Sequence, residues 1–540
     1  MPDEVQLLFL CTSQNYGNTL PWDFKNDTVA KVSLANFMSL VKEQRAIYGD
    51  RCIVLDDGNM HTRGLSNFYW RYLDTVCEPV TYKVQRYIGY DAVAIGHSDL
   101  RLEEPFLAMR HDTTACPPTL CANLINKYTG ENFFRPWILL ERKGIRIAIF
   151  ALVDENADGW TPQLGHPDAV TCDMLDAMRD KILRLRHDCN PDVIVGLVSS
   201  MNEDKAAKLK EQIPGIDMLI TLPQGDTQSS SQYVNMIQLT LTYDKETDSY
   251  RKHRLTANID LAQYEIDQKF TQDFDSDIQT MRAKYREEYG KLDDQIVTSY
   301  GIYSSHDYYR DIINQAHLWY SGADISLANI AHADAYIEPG KVNISKIIEI
   351  FNHENVLVTM RVTGREVKDI LESFYAQQYN QMHSANDPLI ALGHDKKGHA
   401  LYNELGQPYL NIPPSRFTSG AGLYYTVDLR CPPGNRVTIH EMKNGKPYHP
   451  DAVYTLTTNS YIASGFGNRK YLPYLNWDPG EVHRRITSYD MPSLTYVIYK
   501  YFKECPTAYT PNLDKTCDFI PEEWWRAAKT REMNELNPTW

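Results

Sequence analysis

Ile145-Arg146-Ile147-Ala148-Ile149-Phe150-Ala151-Leu152-Val153 is an almost unbroken apolar run, and Val193-Ile194-Val195-Gly196-Leu197-Val198 is a second one further along. Both are short, rich in β-branched residues and without polar alternation, the pattern of strands buried on both faces. Between them, Cys172–Arg186 carries helical spacing. Strand, helix, strand in that order predicts two parallel strands joined by a crossover. The same signals extend outward from this unit. Val5–Cys11, Arg51–Leu55, Ala92–Ile95 and Met218–Ile220 read as strands, and Val32–Ile47 as a helix. The first half is therefore expected to be an α/β layer fold on a largely parallel sheet. In such folds chemistry gathers where strands end and loops begin.

Composition narrows the function classes. At roughly 150 residues per domain, the 540 residues imply two to four domains. Hydrophobic residues at 43% and charged residues at 23% are globular values and exclude a disordered chain. The 55 Lys and Arg against 70 Asp and Glu, a net charge of −15, argue against a nucleic-acid binder, which needs a basic face. No apolar run reaches the roughly 18 residues of a membrane span. The opening Met1-Pro2-Asp3-Glu4 is too acidic for a signal peptide, so the chain is expected to be cytosolic unless a leader precedes this numbering. Of ten cysteines, Cys116/Cys121 and Cys505/Cys517 are close enough in sequence to pair, whereas Cys11 and Cys52 read as buried thiols. No CxxC or Cys/His zinc spacing is present.

Residues 268–295 are strongly charged and read as an exposed linker helix. This sets domains at 1–265 and 299–540, with the linker over 266–298. In the second half, Tyr309–Ser321 and Gly364–Phe374 have helical spacing. Val356–Val362, Gly422–Asp428, Arg436–Glu441 and Ala452–Asn459 alternate as half-buried strands.

Several segments of the second half carry a family resemblance. Gly322-Ala323-Asp324-Ile325-Ser326, the run Val356–Lys368, Ala385-Asn386-Asp387-Pro388-Leu389, Gly393-His394-Asp395-Lys396-Lys397-Gly398 and Thr458-Asn459-Ser460-Tyr461 occur in order. Together they resemble the 5′-nucleotidase family, in particular its 2′,3′-cyclic-nucleotide phosphodiesterase-like members. That resemblance implies an N-terminal calcineurin-like metallophosphatase sandwich of α/β type, a linker helix and an α+β C-terminal nucleotidase domain. It also implies two divalent metals, such as Mn, Zn or Mg, an exported or periplasmic location, and a nucleotide-like ligand. The resemblance places Phe417 at the base as one wall of a clamp, with Phe466 or Tyr471 as the other wall and Asn459 beside them; the alternative for Phe417 is a place in the core.

The five loops that hold metal in the family are altered here. The first reads Ser13-Gln14-Asn15-Tyr16-Gly17-Asn18, with Gln14 and Tyr16 where the family has Asp and His. The second reads Leu55-Asp56-Asp57-Gly58-Asn59, with Asn59 in place of the bridging Asp. The third reads Gly96-His97-Ser98-Asp99, the fourth offers Ser199 for a His, and the fifth has Pro223 and Gly225 in Leu222-Pro223-Gln224-Gly225. Two divalent ions need carboxylates and imidazoles within reach. Gln14, Tyr16, Asn59, Ser199, Pro223 and Gly225 supply neither. The expectation is a family member without the dinuclear centre and without catalytic residues, acting by binding a nucleotide-like ligand or a protein partner. Two alternatives stand beside it. One is a phosphoester hydrolase with a site rebuilt around His97 and Asp99, the other a structural subunit of a larger assembly. No G-x-S-x-G elbow surrounds Ser199 and Ser200, so a serine nucleophile is not expected.

Overall fold

The computed structural model describes residues 2–61, 64–101, 117–153, 168–199, 201, 203–221, 232–304, 307–333, 335–351, 353, 355–399, 401–403, 408–465, 477, 479–488, 492–505, 508–509 and 516–536. The chain divides into two compact units, Met1–Lys284 and Tyr285–Trp540.

In chain order the first unit runs β1 (Glu4–Thr12), α1 (Leu34–Tyr48), β2 (Cys52–Asp56), α2 (Val80–Ile88), β3 (Ala92–Ala94), β4 (Thr119–Leu120), β5 (Trp137–Arg142), β6 (Ile145–Val153), α3 (Met174–Cys189), β7 (Val193–Ser199), α4 (Glu203–Gln212), β8 (Met218–Ile220), β9 (Tyr233–Asp244), β10 (Ser249–Asp260), α5 (Gln268–Asp273) and α6 (Asp275–Tyr285). One sheet has the order β10-β9-β1-β2-β3-β4 and the other β8-β7-β6-β5. β1, β2, β3 and β4 are mutually parallel, as are β6, β7 and β8, which is the expected parallel arrangement. The long antiparallel ribbon of β9 and β10 was not legible as strands. Apart from β9's core-facing residues, its sequence is polar, and β10 is exposed along most of its length.

Strand parity builds the layers. Leu7, Phe9, Ile53 and Leu55 face Ile147, Ile149, Val195 and Leu197 in one core between the sheets. The opposite face of β6 and β7, with Phe150, Leu152, Ile194 and Val198, packs on Met178, Ile182, Leu185, Leu209 and Ile213 from the helices. Each such side chain, fully buried, contributes about 1.5–3 kcal/mol. Gly196 interrupts the apolar run because a Cβ there would stand 2.4 Å from the Phe150 ring. The result is a two-sheet sandwich clad in helices. α1 begins at a capping box in which Ser33 and Asn36 satisfy each other's backbone donors, and α3 begins at Asp173, which accepts from Leu175 and Asp176.

The expected linker helix is corrected. Residues 268–285 form two helices, and the chain then enters a short strand at Gly290–Leu292. Phe270, Phe274, Ile278 and Met281 are buried at helical spacing, a stripe hidden in sequence by the charges between them. Within the first unit, Arg282 pairs with Asp27 and lies 4.1 Å over the Trp22 ring, and Lys83 pairs with Asp277.

The second unit contains α7 (Tyr308–Ser321), β11 (Ile325–Asn329), β12 (Leu357–Thr363), α8 (Gly364–Gln378), β13 (Thr418–Ala421), β14 (Leu423–Asp428), β15 (Val437–Met442), β16 (Val453–Asn459), α9 (Leu494–Glu504), β17 (Cys517–Ile520) and α10 (Glu522–Leu536). The main sheet has the order β12-β16-β11-β13 and a second sheet the order β15-β14-β17. This is the α+β arrangement expected. Trp525 on α10 stacks on Phe519 and donates to the Tyr303 carbonyl, so α10 packs on its own unit. The Cys505/Cys517 pairing is corrected. Cys505 is a free thiol, and the buried sulfur of Cys517 accepts a contact from Tyr375. Cys121 is also a free thiol, and Cys116 lies outside the described residues.

Candidate functional site

The strand-tip loops of the first unit are joined by hydrogen bonds that continue the β1–β2 ladder past its end. Asp57 N donates to Thr12 O at 2.8 Å, Gln14 N to Gly58 O at 3.0 Å, and Tyr16 N to Asn59 O at 2.9 Å. To keep this pairing, Gln14, Tyr16 and Asn59 adopt left-handed backbone angles, with φ of 50°, 49° and 62°. For residues with side chains this costs on the order of 1–2 kcal/mol each.

A second set of bonds ties the Asn59 loop to the His97 loop. Asp99 Oδ2 accepts from Asn59 N at 2.8 Å and from Gly96 N at 3.0 Å, while its Oδ1 accepts from His61 N at 3.2 Å. Asn59 Oδ1 in turn accepts from Ser98 N at 2.8 Å. The loops approach so closely that a Cβ on Gly96 would stand 2.2 Å from Asn59 N. Thus the structure brings Gln14, Tyr16, Asn59, His97, Ser98 and Asp99 together at the tips of β1, β2 and β3. β7 also ends at these tips, with Ser199 paired to Val153 in the backbone. Pro223 and Gly225 lie outside the described residues.

Beneath these loops are three buried carboxyl groups: Asp56, Asp57 and Asp99 are each 0% exposed. Asp56 accepts from Thr12 Oγ1 at 2.6 Å and from Gly58 N at 2.8 Å, and Thr12 also meets Tyr90 OH at 3.0 Å. Burial pushes the Asp56 carboxyl up to about 8, against the pull of these two hydrogen bonds. Among the described residues, neither Asp57 carboxyl oxygen has a hydrogen-bond partner. Burial first, and then the neighbouring Asp56, raise it well above the usual carboxylate range. In sequence, Asp57 reads either as a polar loop residue or as one of the carboxylates near His97 at the strand ends, and not as a buried group. Its parity with Ile53 and Leu55, which turns it inward, was the available signal.

These donors can be tested against the metal pair that the family resemblance implies. Among the described residues, no group of three or more His, Cys, Asp or Glu is placed to hold a metal ion. Asp99 commits both oxygens to backbone N–H groups and acts as a staple between loops. Asn59 has its amide oxygen on Ser98 N. Gln14 and Tyr16 carry an amide and a phenol. Among the described residues, this set does not fit two divalent cations.

The second unit has its own strand-tip cluster. Asn459 caps the helical turn after β16 by accepting from Ile462 N at 2.8 Å, and its amide donates to Asn329 Oδ1 at 2.8 Å. Asn329 donates to Ser415 O at 2.6 Å. Phe417 is brought to this cluster, but its ring is 1% exposed and lies edge-on to Tyr379 at 6.1 Å. It is a core residue here, which corrects its expected part as an open wall for a base. Phe466 and Tyr471 lie outside the described residues. Two features were missed in sequence because only folding makes them neighbours. Half-buried Arg416 donates to Tyr461 OH at 3.3 Å. The His332 and His353 rings stack at 5.1 Å, with His353 Nε2 donating to Ala331 O at 3.1 Å.

Comparison with known proteins gives the context. Residues 298–474 match the family described as 5′-nucleotidase, C-terminal domain. The chain is similar to the trifunctional nucleotide phosphoesterase protein YfkN of Bacillus subtilis, at 22% identity over 87% of this chain and 36% of that protein. It is also similar to Protein UshA of Escherichia coli, at 29% identity over 26% of this chain and 25% of that protein. The chain therefore spans only about a quarter to a third of the length of these relatives. A 5′-nucleotidase precursor from Thermus thermophilus shares the fold, with a TM-score of 0.53 and 16% identity over 96% of this chain and 100% of that one.

Proposed function

We propose that this chain, a 5′-nucleotidase-family protein, acts by binding a nucleotide-like ligand in its second unit and does not hydrolyse phosphoesters by a two-metal mechanism. The observation that carries this reading is the state of the first unit's strand tips. The carboxyl groups that could attract cations are either held by backbone N–H groups, as at Asp99, or raised toward the neutral acid by burial, as at Asp56 and Asp57. A neutral or fully satisfied carboxyl offers little to a divalent ion. The ligand site in this reading is the tip of β11 and β16, where Arg416 supplies a cation for an anionic group and the His332–His353 stack supplies a flat aromatic face. Asn459 and Asn329 shape that tip. An exported location belongs to the same reading and rests on the family resemblance. Among the described residues, no helix is long and apolar enough to cross a membrane.

The test pairs metal analysis with two assays. The purified protein is expected to carry no stoichiometric Mn, Zn or Mg and to release no phosphate from nucleoside monophosphates or 2′,3′-cyclic nucleotides with any of the three added. Nucleotide is expected to raise the melting temperature, as a ligand of the folded state must. Turnover with bound metal would overturn the proposal.

A second reading is favoured by one observation. Asp57 is a buried carboxyl whose oxygens have no hydrogen-bond partner among the described residues, which also describes a ligand awaiting a cation. In this reading Asp57 replaces a lost anionic ligand in a rebuilt site with His97. Loss of metal content in Asp57→Asn, with the fold intact, separates it from the first.

A further inference from the structure

A cavity of about 340 Å³ lies at the open edge of the first unit, lined from α4, β8, β9 and β10. Its apolar lining is Leu219, Ile220 and Ile237, and the small Ala206 and Ala207 leave the space free. Thr221, Asn235 and Thr256 add polar groups, and Asn235 is held in place by donating to Thr221 O at 2.7 Å. Two cations, Lys210 on α4 and Arg254 on β10, line the cavity, and among the described residues no Asp or Glu does.

The charge balance around the cavity is unusual for a chain of net charge −15. Neighbouring cations on β10 have carboxylate partners: Arg251 pairs with Asp244, and Lys252 with Asp217 at 2.6 Å. The other Asp217 oxygen accepts from Ile194 N at 2.7 Å. Lys210 reaches only the Asp217 backbone carbonyl, at 2.6 Å. The Arg254 side chain has no ion-pair or hydrogen-bond partner among the described residues. A concave site with two cations, neither paired to a carboxylate, concentrates anions, and its size falls at the lower end of small-ligand pockets, about 300–1,000 Å³.

We propose that this cavity binds a small organic anion, a carboxylate or phosphate monoester with a short apolar body. The Arg254 guanidinium and Lys210 ammonium take the anionic head, and the Ile220–Ile237 surface takes the body. None of its lining residues belongs to the Gln14, Asn59 and Asp99 cluster or to the Asn329 and Asn459 cluster, so the proposal does not depend on the function proposed above.

The test is calorimetric titration of the full chain with benzoate, phenyl phosphate and inorganic phosphate. Benzoate or phenyl phosphate is expected to bind, and phenyl phosphate about ten-fold more tightly than inorganic phosphate, because only the former buries a ring. Arg254→Gln is expected to weaken binding by about ten-fold or more, and Arg254→Lys by less. Ala207→Leu, at an exposed helix position, is expected to fill the cavity and abolish binding without lowering the melting temperature. Arg416→Ala in the second unit is expected to leave this binding unchanged. Absence of binding by all three probes at about 10 mM, where even very weak ligands register, overturns the proposal. So does binding that Arg254→Gln and Ala207→Leu both leave intact.

Discussion

Asp99 Oδ2 stands 2.8 Å from the backbone nitrogen of Asn59, and this bond, with its companions to Gly96 and His61, makes one carboxylate the clasp of two strand-tip loops. Its oxygens are turned to the protein's own backbone. The chemistry open to this end of the sandwich follows from that arrangement.

Asp99→Ala leaves three buried N–H groups without their acceptor. Hydrogen bonds to charged groups contribute about 1.5–3 kcal/mol each and are not additive, so the expected loss is about 3 kcal/mol, read as a lower melting temperature. Gly96→Ala should cost at least as much, because its Cβ would meet the Asn59 backbone at 2.2 Å. If either variant melted within a degree of the parent, the staple would carry no weight.

Asp56 and Asp57 give the first unit a definite pH dependence. Both carboxyl groups are raised in the folded state, Asp56 to about 8, so the folded chain holds protons that the unfolded chain releases. Their contribution to stability is complete below the unfolded value near 4 and is lost as pH rises through the folded values. Melting of the first unit should therefore move to lower temperature between about pH 5 and pH 8. Asp57→Asn, a neutral isostere of a side chain whose oxygens accept no hydrogen bond among the described residues, should flatten that slope and raise the melting temperature at pH 8 but not at pH 5. A variant with the parent's slope would rule the carboxyl out as its source.

His317 makes the second unit respond in the opposite direction. It is 0% exposed, its Nδ1 lies 3.0 Å from Ser326 Oγ, and Ser326 donates to Asn314 Oδ1 at 2.7 Å. Because that hydroxyl proton is used, Nδ1 carries the imidazole proton and Nε2 lies buried without one. Burial holds the ring neutral down to about 3. The unfolded chain therefore binds more protons below about pH 6.5. The stability His317 contributes is complete above that value and falls as pH drops toward 3. His317→Gln should remove the acid-side slope, measured by thermal unfolding between pH 4 and pH 7. Retention of the full slope would assign it elsewhere.

Arg416 is the cation of the second unit's strand-tip cluster. Arg416→Ala should reduce a nucleotide's stabilising effect by about 1.5–3 kcal/mol, the value of a charge-assisted hydrogen bond, while Phe417→Leu, at a ring that is 1% exposed, should lower the melting temperature and leave ligand selectivity unchanged. The measurement is the nucleotide-induced shift in melting temperature for each variant. A Phe417→Leu protein that folds but loses ligand would restore the aromatic wall expected from sequence.

Much of the frame was legible because burial on both faces writes itself as continuous apolar runs. β6 and β8 were read with the boundaries the structure has, and β1, β2 and β7 to within a residue or two at each end. The ribbon of β9 and β10 was not, because β10 lies at a sheet edge in solvent and has no apolar alternation to display. The helices after residue 267 read in sequence as an exposed linker helix because the buried stripe of Phe270, Phe274, Ile278 and Met281 is sparse among charges.

The candidate site divides along the same line. Residue types at Gln14, Tyr16 and Asn59 are local facts, and the order of segments determined the family resemblance, because both are properties of the chain read one residue at a time. The clasp from Asp99 to Asn59, the unpartnered carboxyl of Asp57 and the core position of Phe417 were decided only by tertiary structure. Whether a carboxyl is an ion's ligand, a backbone acceptor or a neutral acid depends on its burial and its neighbours, and those neighbours come from strands far apart in the chain.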